Sequence, residues 1–170
     1  MAEANILGTD VRVELLDGEI VQMSPVGPRH CGVVDQLAEL LITNLSRRAA
    51  VRIQAPVAID QTSEPEPDIS VVERRDDYYK SNHPTPNDIL LLVEVAETSV
   101  EKDRGQKLHL YAKAGIPETW IIDIERRVLI VHRDPLDDEY GFVQQHDASS
   151  TVAPQAFPGL PLELGPLFSY

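Results

Sequence analysis

One cysteine, Cys31, is all that a chain of 170 residues holds, so no intramolecular disulfide and no thiolate cluster for zinc or an iron–sulfur centre can form. A reducing compartment is the simplest setting, and a cytoplasmic protein is expected. No run approaches 18 apolar residues, and no basic start leads into an apolar segment, so neither a spanning helix nor a secretory signal is read and no membrane partner is expected. Basic side chains are scarce: 15 Lys and Arg face 28 Asp and Glu, a formal charge of −13. Such a chain repels a polyanion at long range, although a divalent cation held locally would reverse the field at that spot. Gly-rich phosphate loops, GxSxG elbows and HExxH spacings are all missing, and His83, His109, His132 and His146 offer no comparable metal-ligand pattern.

What is present is the composition of a globular protein, 42% hydrophobic and 25% charged, at a length that predicts one domain over residues 1–170. Residues 11–16 and 19–23 alternate around Asp17-Gly18, the strongest short-range signal for a β-hairpin. Pro28 stands at a favoured first helical position before Val33, Val34, Leu37, Leu40, Leu41 and Leu45, which predicts a helix over about 29–48. Strands are expected over 51–59 and 69–72, then a polar loop over 74–88. The run ILLLVEVA at 89–96 is apolar on both faces and belongs in mid-sheet. Thr98 and Glu101 form a capping-box pair, and Gly115 with Pro117 supplies the stop of a second helix. Further strands are read over 119–123 and 128–132, with a last one near 142–145. A tail over about 146–170 packs in extended segments. The fold class is α/β: a mixed central sheet with helices packed against it, a core over about 29–133, and an N-terminal hairpin in front.

Glu94 is the most informative residue, because an isolated buried carboxylate costs several kcal/mol and needs a cation, a hydrogen-bond network or a proton. Taken alone, it could equally be solvated at a strand end or paired with an arginine. Asp68 opens the preceding strand, and neighbouring strands would bring the two carboxylates within a few ångströms, an arrangement that a divalent metal stabilises. The simpler reading of Asp68 is a turn residue in EPEPD. Lys107 lies one turn beyond Asp103 on the second helix, which makes it either an exposed salt bridge or a lysine that stabilises developing charge. His30, in the first turn of the first helix, is a candidate ligand or base, or else surface polar. Cys31 has no base partner and is expected to be packed. The loop 74–88 joins the strands of Asp68 and Glu94 and is expected to hang near those carboxylates, where it offers Arg74, Arg75 and Lys80, with Tyr78 and Tyr79 as stacking faces, for nucleic-acid contact. Its simpler reading is a solvated connection whose charge Asp76 and Asp77 cancel.

PD at 67–68, LLLVEVAETS at 90–99, DRGQK at 103–107 and YAKAGIPETWIID at 111–123, preceded by VELLDGEIVQMSPVGPRH at 13–30 and followed by FPGLPLEL, resemble the PD-(D/E)XK nuclease superfamily. The resemblance is strongest to its restriction-endonuclease-like bacterial branch, the "Uma-two" family. It implies a helix, a three-stranded antiparallel meander, a second helix and a further strand. It also implies Asp68 and Glu94 as metal-binding acids, with the Val95 carbonyl as a third ligand. The superfamily lysine normally follows the glutamate by two residues, where this chain has Ala96, and Lys107 is its expected replacement. The function implied is a Mg²⁺- or Mn²⁺-dependent endonuclease hydrolysing DNA, with Asp68, Glu94 and Lys107 as the catalytic residues and His30 and Asp103 as further candidates. The alternative is a non-catalytic, homodimeric accessory or binding protein on the same fold.

Overall fold

The computed structural model describes residues 12–97 and 101–169, and 101–104 by their backbone alone. The chain opens with the antiparallel hairpin β1 (Val13–Leu16) and β2 (Glu19–Gln22), turned by Asp17 and Gly18, which both take positive φ, as an Asp-Gly hairpin turn demands. Helix α1 (Pro28–Leu45) follows, burying Val33, Val34, Leu37, Ala38, Leu41 and Leu45 along one side. Each fully buried leucine there contributes roughly 1.5–3 kcal/mol relative to exposure. Strands β3 (Ala50–Ile53), β4 (Ile69–Val72), β5 (Ile89–Ala96), β6 (Glu118–Asp123), β7 (Val128–Leu136) and β8 (Glu139–Asp147) form one sheet in sequence order. Every pairing is antiparallel except β5 with β6. That parallel pair requires a crossover, supplied by α2 (Glu101–Lys113). Gly115, at φ +75, ends α2 in a Schellman arrangement in which the Ile116 N–H donates to the Tyr111 carbonyl at 3.0 Å and Gly115 N–H to that of Ala112 at 2.9 Å.

The expected α/β architecture is therefore observed, with its meander β3–β4–β5 and β5 inside the sheet. One face, carrying Ile69, Val71, Leu91, Val93, Trp120 and Ile122, packs against α1 and the tail. The other, carrying Val72 and Leu92, packs with Leu16 of the hairpin and with Leu110 and Tyr111 of α2. The tail forms β9 (Thr151–Val152) paired with β10 (Leu162–Glu163) and a 3₁₀ turn, Gly165–Phe168. Its Leu160, Leu162, Leu164, Leu167 and Phe168 join the α1 core.

Glu118 accounts for the GIPE-x-W segment. Its carboxylate, fully buried, accepts bonds from Trp120 Nε1 at 2.8 Å, Arg133 Nε at 2.8 Å and the Gln155 N–H at 2.6 Å. Arg133 also donates to the Ala153 carbonyl at 2.9 Å, so this pair fastens the tail to the sheet.

Three expectations need correction. The strand read over 51–59 stops at Ile53, because Gln54 turns to φ +44. The last two strands reach Leu136 and Glu139–Asp147, since both sides of a long hairpin keep pairing beyond the apolar residues that marked them. Cys31 is exposed, as it projects from the outer side of α1. The Thr98/Glu101 capping box lies outside the described residues. Among the described residues no helix is long and apolar enough to cross a membrane.

Candidate active site

The ladder between β4 and β5 pairs Ile69 with Val93, so Asp68, one residue earlier, stands opposite Glu94, one residue later. Residues directly opposite in an antiparallel pair have Cβ atoms about 4.5–5.5 Å apart on the same face. Both carboxyls open into a cleft of about 160 Å³ whose polar lining includes Glu14, His30, Glu66, Asp68, Glu94 and Lys107, and whose other wall includes Val21, Met23 and Val26.

Every oxygen of Asp68 is engaged. Oδ1 lies 2.8 Å from His30 Nε2 and accepts from Gln54 Nε2 at 3.3 Å, while Oδ2 accepts the Val95 N–H at 2.8 Å. Burial alone would raise the Asp68 pKa, but the bond and charge of His30, helped by Val95 and Gln54, outweigh it and hold the carboxyl below its ordinary value. Burial likewise opposes protonation of His30, yet Asp68, with Glu97 and Glu94, keeps the imidazole above its ordinary pKa. The left-handed backbone of Gln54 has a counterpart here: its own N–H donates to the Asp68 carbonyl at 2.9 Å, so the residue grips Asp68 by main chain and side chain together. At Gly27, just before α1, a Cβ would lie 2.5 Å from Glu97 Oε2, so any larger residue there would displace the end of the Glu97 side chain.

Glu94 Oε1 accepts from the Tyr111 hydroxyl at 2.7 Å and from Lys107 Nζ at 3.2 Å, and Oε2 lies 3.4 Å from the same ammonium. Burial pushes the Glu94 carboxyl up to about 7 despite the opposing charge of Lys107, and Asp68 adds to the rise. Lys107 Nζ is also 2.9 Å from Glu14 Oε2 and donates to the Glu66 carbonyl at 3.4 Å. Burial would lower the lysine, but Glu94 and Glu14 overcome it, and Lys107 stays above its ordinary range.

The structure therefore brings together Asp68, Glu94, Lys107 and His30. Lys107 and His30, read alternatively as exposed, are both buried. The side chain of Asp103 lies outside the described residues, and Lys107 pairs with Glu14 and Glu94. Val95 presents its N–H to Asp68. Glu14, Gln54 and Tyr111 were not anticipated. Tyr111 follows Lys107 by one helical turn, a spacing that places it beside a recognised residue, whereas Glu14 shares only the inward side of β1 with Leu16.

Arg74, Arg75 and Lys80 do not line this cleft. Their loop leaves the sheet after Val72 and returns at Ile89, the ends of β4 and β5 remote from Asp68 and Glu94, so the expectation that it overhangs the carboxylates is corrected. Arg75 is occupied by Asp77 Oδ2 at 2.9 Å and stacks over Tyr79 at 4.7 Å, and Tyr79 is buried.

Among the described residues no group of three or more His, Cys, Asp or Glu side chains forms a ready metal cage. Mg²⁺ and Mn²⁺ do not require one: Mg²⁺ is ordinarily held by one or two carboxylates together with water and substrate phosphate. Two adjacent carboxylates of hard oxygen donors, one kept ionised and one raised by burial beside its neighbour, fit such an ion.

A model of the Uma2 family, described as "Putative restriction endonuclease", matches residues 2–165. Among solved structures, the chain is similar to a "putative nuclease" belonging to DUF820 from Anabaena variabilis, at 20% identity and a TM-score of 0.76, over 98% of this chain and 94% of that one. That likeness concerns the fold. No curated protein matches the chain.

Proposed function

Because the chain belongs to the Uma2 family and gathers Asp68, Glu94 and Lys107 at one cleft, we propose that it is a Mg²⁺- or Mn²⁺-dependent endonuclease that hydrolyses DNA phosphodiester bonds. The observation that carries this reading is the cross-strand carboxylate pair with a buried lysine 3.2 Å from one member. Asp68 and Glu94 would hold the ion, with the Val95 carbonyl as a further oxygen donor. When bound, the ion polarises the scissile phosphate and lowers the pKa of an attacking water. Lys107 orients that water or meets the negative charge that develops on the phosphate. His30 fixes one oxygen of Asp68, and Tyr111 fixes one of Glu94, so neither carboxylate has to reorganise as charge moves.

The acidic surface suits this reading only with the cation in place. Glu14, Glu66, Asp68 and Glu94 outnumber Lys107 and His30 in the cleft, and a phosphodiester is admitted once a divalent charge offsets them. The whole chain then acts as one restriction-endonuclease-like domain of the cytoplasm. A second reading, a homodimeric accessory protein that keeps the fold and cleaves nothing, is favoured by the fact that Lys107 already meets Glu14, Glu94 and the Glu66 carbonyl. Incubation with supercoiled, linear and single-stranded DNA in Mn²⁺ separates the two. Cleavage that chelator and Glu94→Ala both abolish is expected, and intact DNA under every metal supports the accessory protein.

A further inference from the structure

Lys107 has two carboxylate neighbours, and only one of them belongs to the sheet. The other, Glu14, arrives from the N-terminal hairpin and makes the shorter contact, 2.9 Å against 3.2 and 3.4 Å to the two oxygens of Glu94. Its position is set by backbone: the same Oε2 accepts the Glu66 N–H at 3.2 Å. Strand β1 is in turn stitched to the segment before Asp68, with Glu64 N–H donating to the Leu15 carbonyl at 2.8 Å, Gly18 N–H to that of Thr62 at 2.8 Å, and Asp17 N–H to Ser63 Oγ at 3.1 Å. The hairpin thus acts as a bracket that presents one fixed carboxylate to the ammonium.

Glu94 has few oxygens to spare. Tyr111 takes Oε1 at 2.7 Å, and the ammonium reaches both oxygens at 3.2 and 3.4 Å; with no other anionic partner it would close on them, the atoms a cation needs. We propose that Glu14 is a positioning residue of the site: it holds Lys107 at the long end of hydrogen-bond reach from Glu94, 3.2 and 3.4 Å against 2.9 Å to Glu14, so that a divalent ion can take the place of the ammonium on Glu94 while the ammonium stays within reach of the reacting phosphate. This rests on the metal-dependent reading above and assigns the hairpin a part in the site beyond folding.

The test is calorimetric titration of Mn²⁺ into the full chain. Glu14→Gln, close to isosteric and still able to accept the Glu66 N–H, is expected to weaken Mn²⁺ binding on the order of 10–100-fold, the range for losing an outer partner of a metal ligand. Glu14→Asp, which keeps the charge, should recover part of that loss. With Lys107→Met as background, Glu14→Gln should change the Kd by less than about twofold, because the residue it acts through is gone. An unchanged Kd in Glu14→Gln, or an equal loss in both backgrounds, overturns the proposal. If the wild type binds no Mn²⁺, the metal reading falls, and the crystal structure of Glu14→Gln decides the positioning role. Lys107 Nζ closed to about 2.7–2.9 Å from Glu94, from the 3.2 and 3.4 Å seen with Glu14 in place, supports it, and Nζ unmoved refutes it.

Discussion

Replacing Glu118 with Gln removes the charge from the most enclosed carboxylate among the described residues while keeping its volume. Three donors converge on it: Trp120 Nε1, Arg133 and the Gln155 N–H. The glutamine amide would turn an NH₂ toward either Gln155 or the Arg133–Trp120 side, so at least one donor meets another donor. Breaking a buried ion pair by removing one partner costs about 3–5 kcal/mol. The Arg133 side chain is 27% exposed and keeps its bond to the Ala153 carbonyl, so the lower end of that range applies, roughly 3 kcal/mol. At about 2–4 °C per kcal/mol for 150–250 residues, the midpoint should fall by roughly 6–12 °C. Thermal melts of wild type and Glu118→Gln at pH 7 measure that shift, and urea unfolding measures the free-energy loss. Glu118 faces α1 and the tail, on the opposite side of the sheet from Glu94, so Mn²⁺ binding should be unchanged. A stability loss under about 1 kcal/mol would refute the reasoning and leave the tail held by apolar contacts alone.

Lys107→Met should cost about 3 kcal/mol of stability as well as cleavage, because it leaves Glu14 and Glu94 buried without their shared counterion; urea unfolding that matches the wild type would return Lys107 to the surface. The pH dependence of the metal-free protein should carry the mark of Glu94. Its folded pKa, about 7, lies above the ordinary 4.5, so the folded state retains a proton that the unfolded chain has released. Stability from this group is complete below pH 4.5 and is lost as pH rises through about 7, by up to about 3 kcal/mol. Thermal melts in chelator across that window should therefore fall more steeply for wild type than for Glu94→Gln, and parallel curves contradict it.

The central strand and the paired carboxylates were legible because their signals are local: a charge inside an apolar run, a proline fixing where a strand begins, an Asp-Gly turn between alternating segments. The shortfall of β3 was not, since nothing in the composition of 51–59 marks Gln54 as a left-handed residue, and its reason appears only when its side chain reaches Asp68. Glu14 was hidden for a related reason. It sits on a four-residue strand, and its partner on α2 is 93 positions away, a contact that no helical or strand period can announce. The loop 74–88 was misplaced by adjacency: it joins the two strands that carry the carboxylates, but an antiparallel pair puts its connection at one end, here the end remote from Asp68 and Glu94.

Whether Asp68 and Glu94 hold a cation together is the claim on which the functional account stands, and titrating Mn²⁺ into wild type, Asp68→Ala and Glu94→Ala under one set of conditions tests it most directly. Saturable binding in the wild type that disappears in both variants is predicted. Equal binding in all three proteins, or none in the wild type, would contradict it.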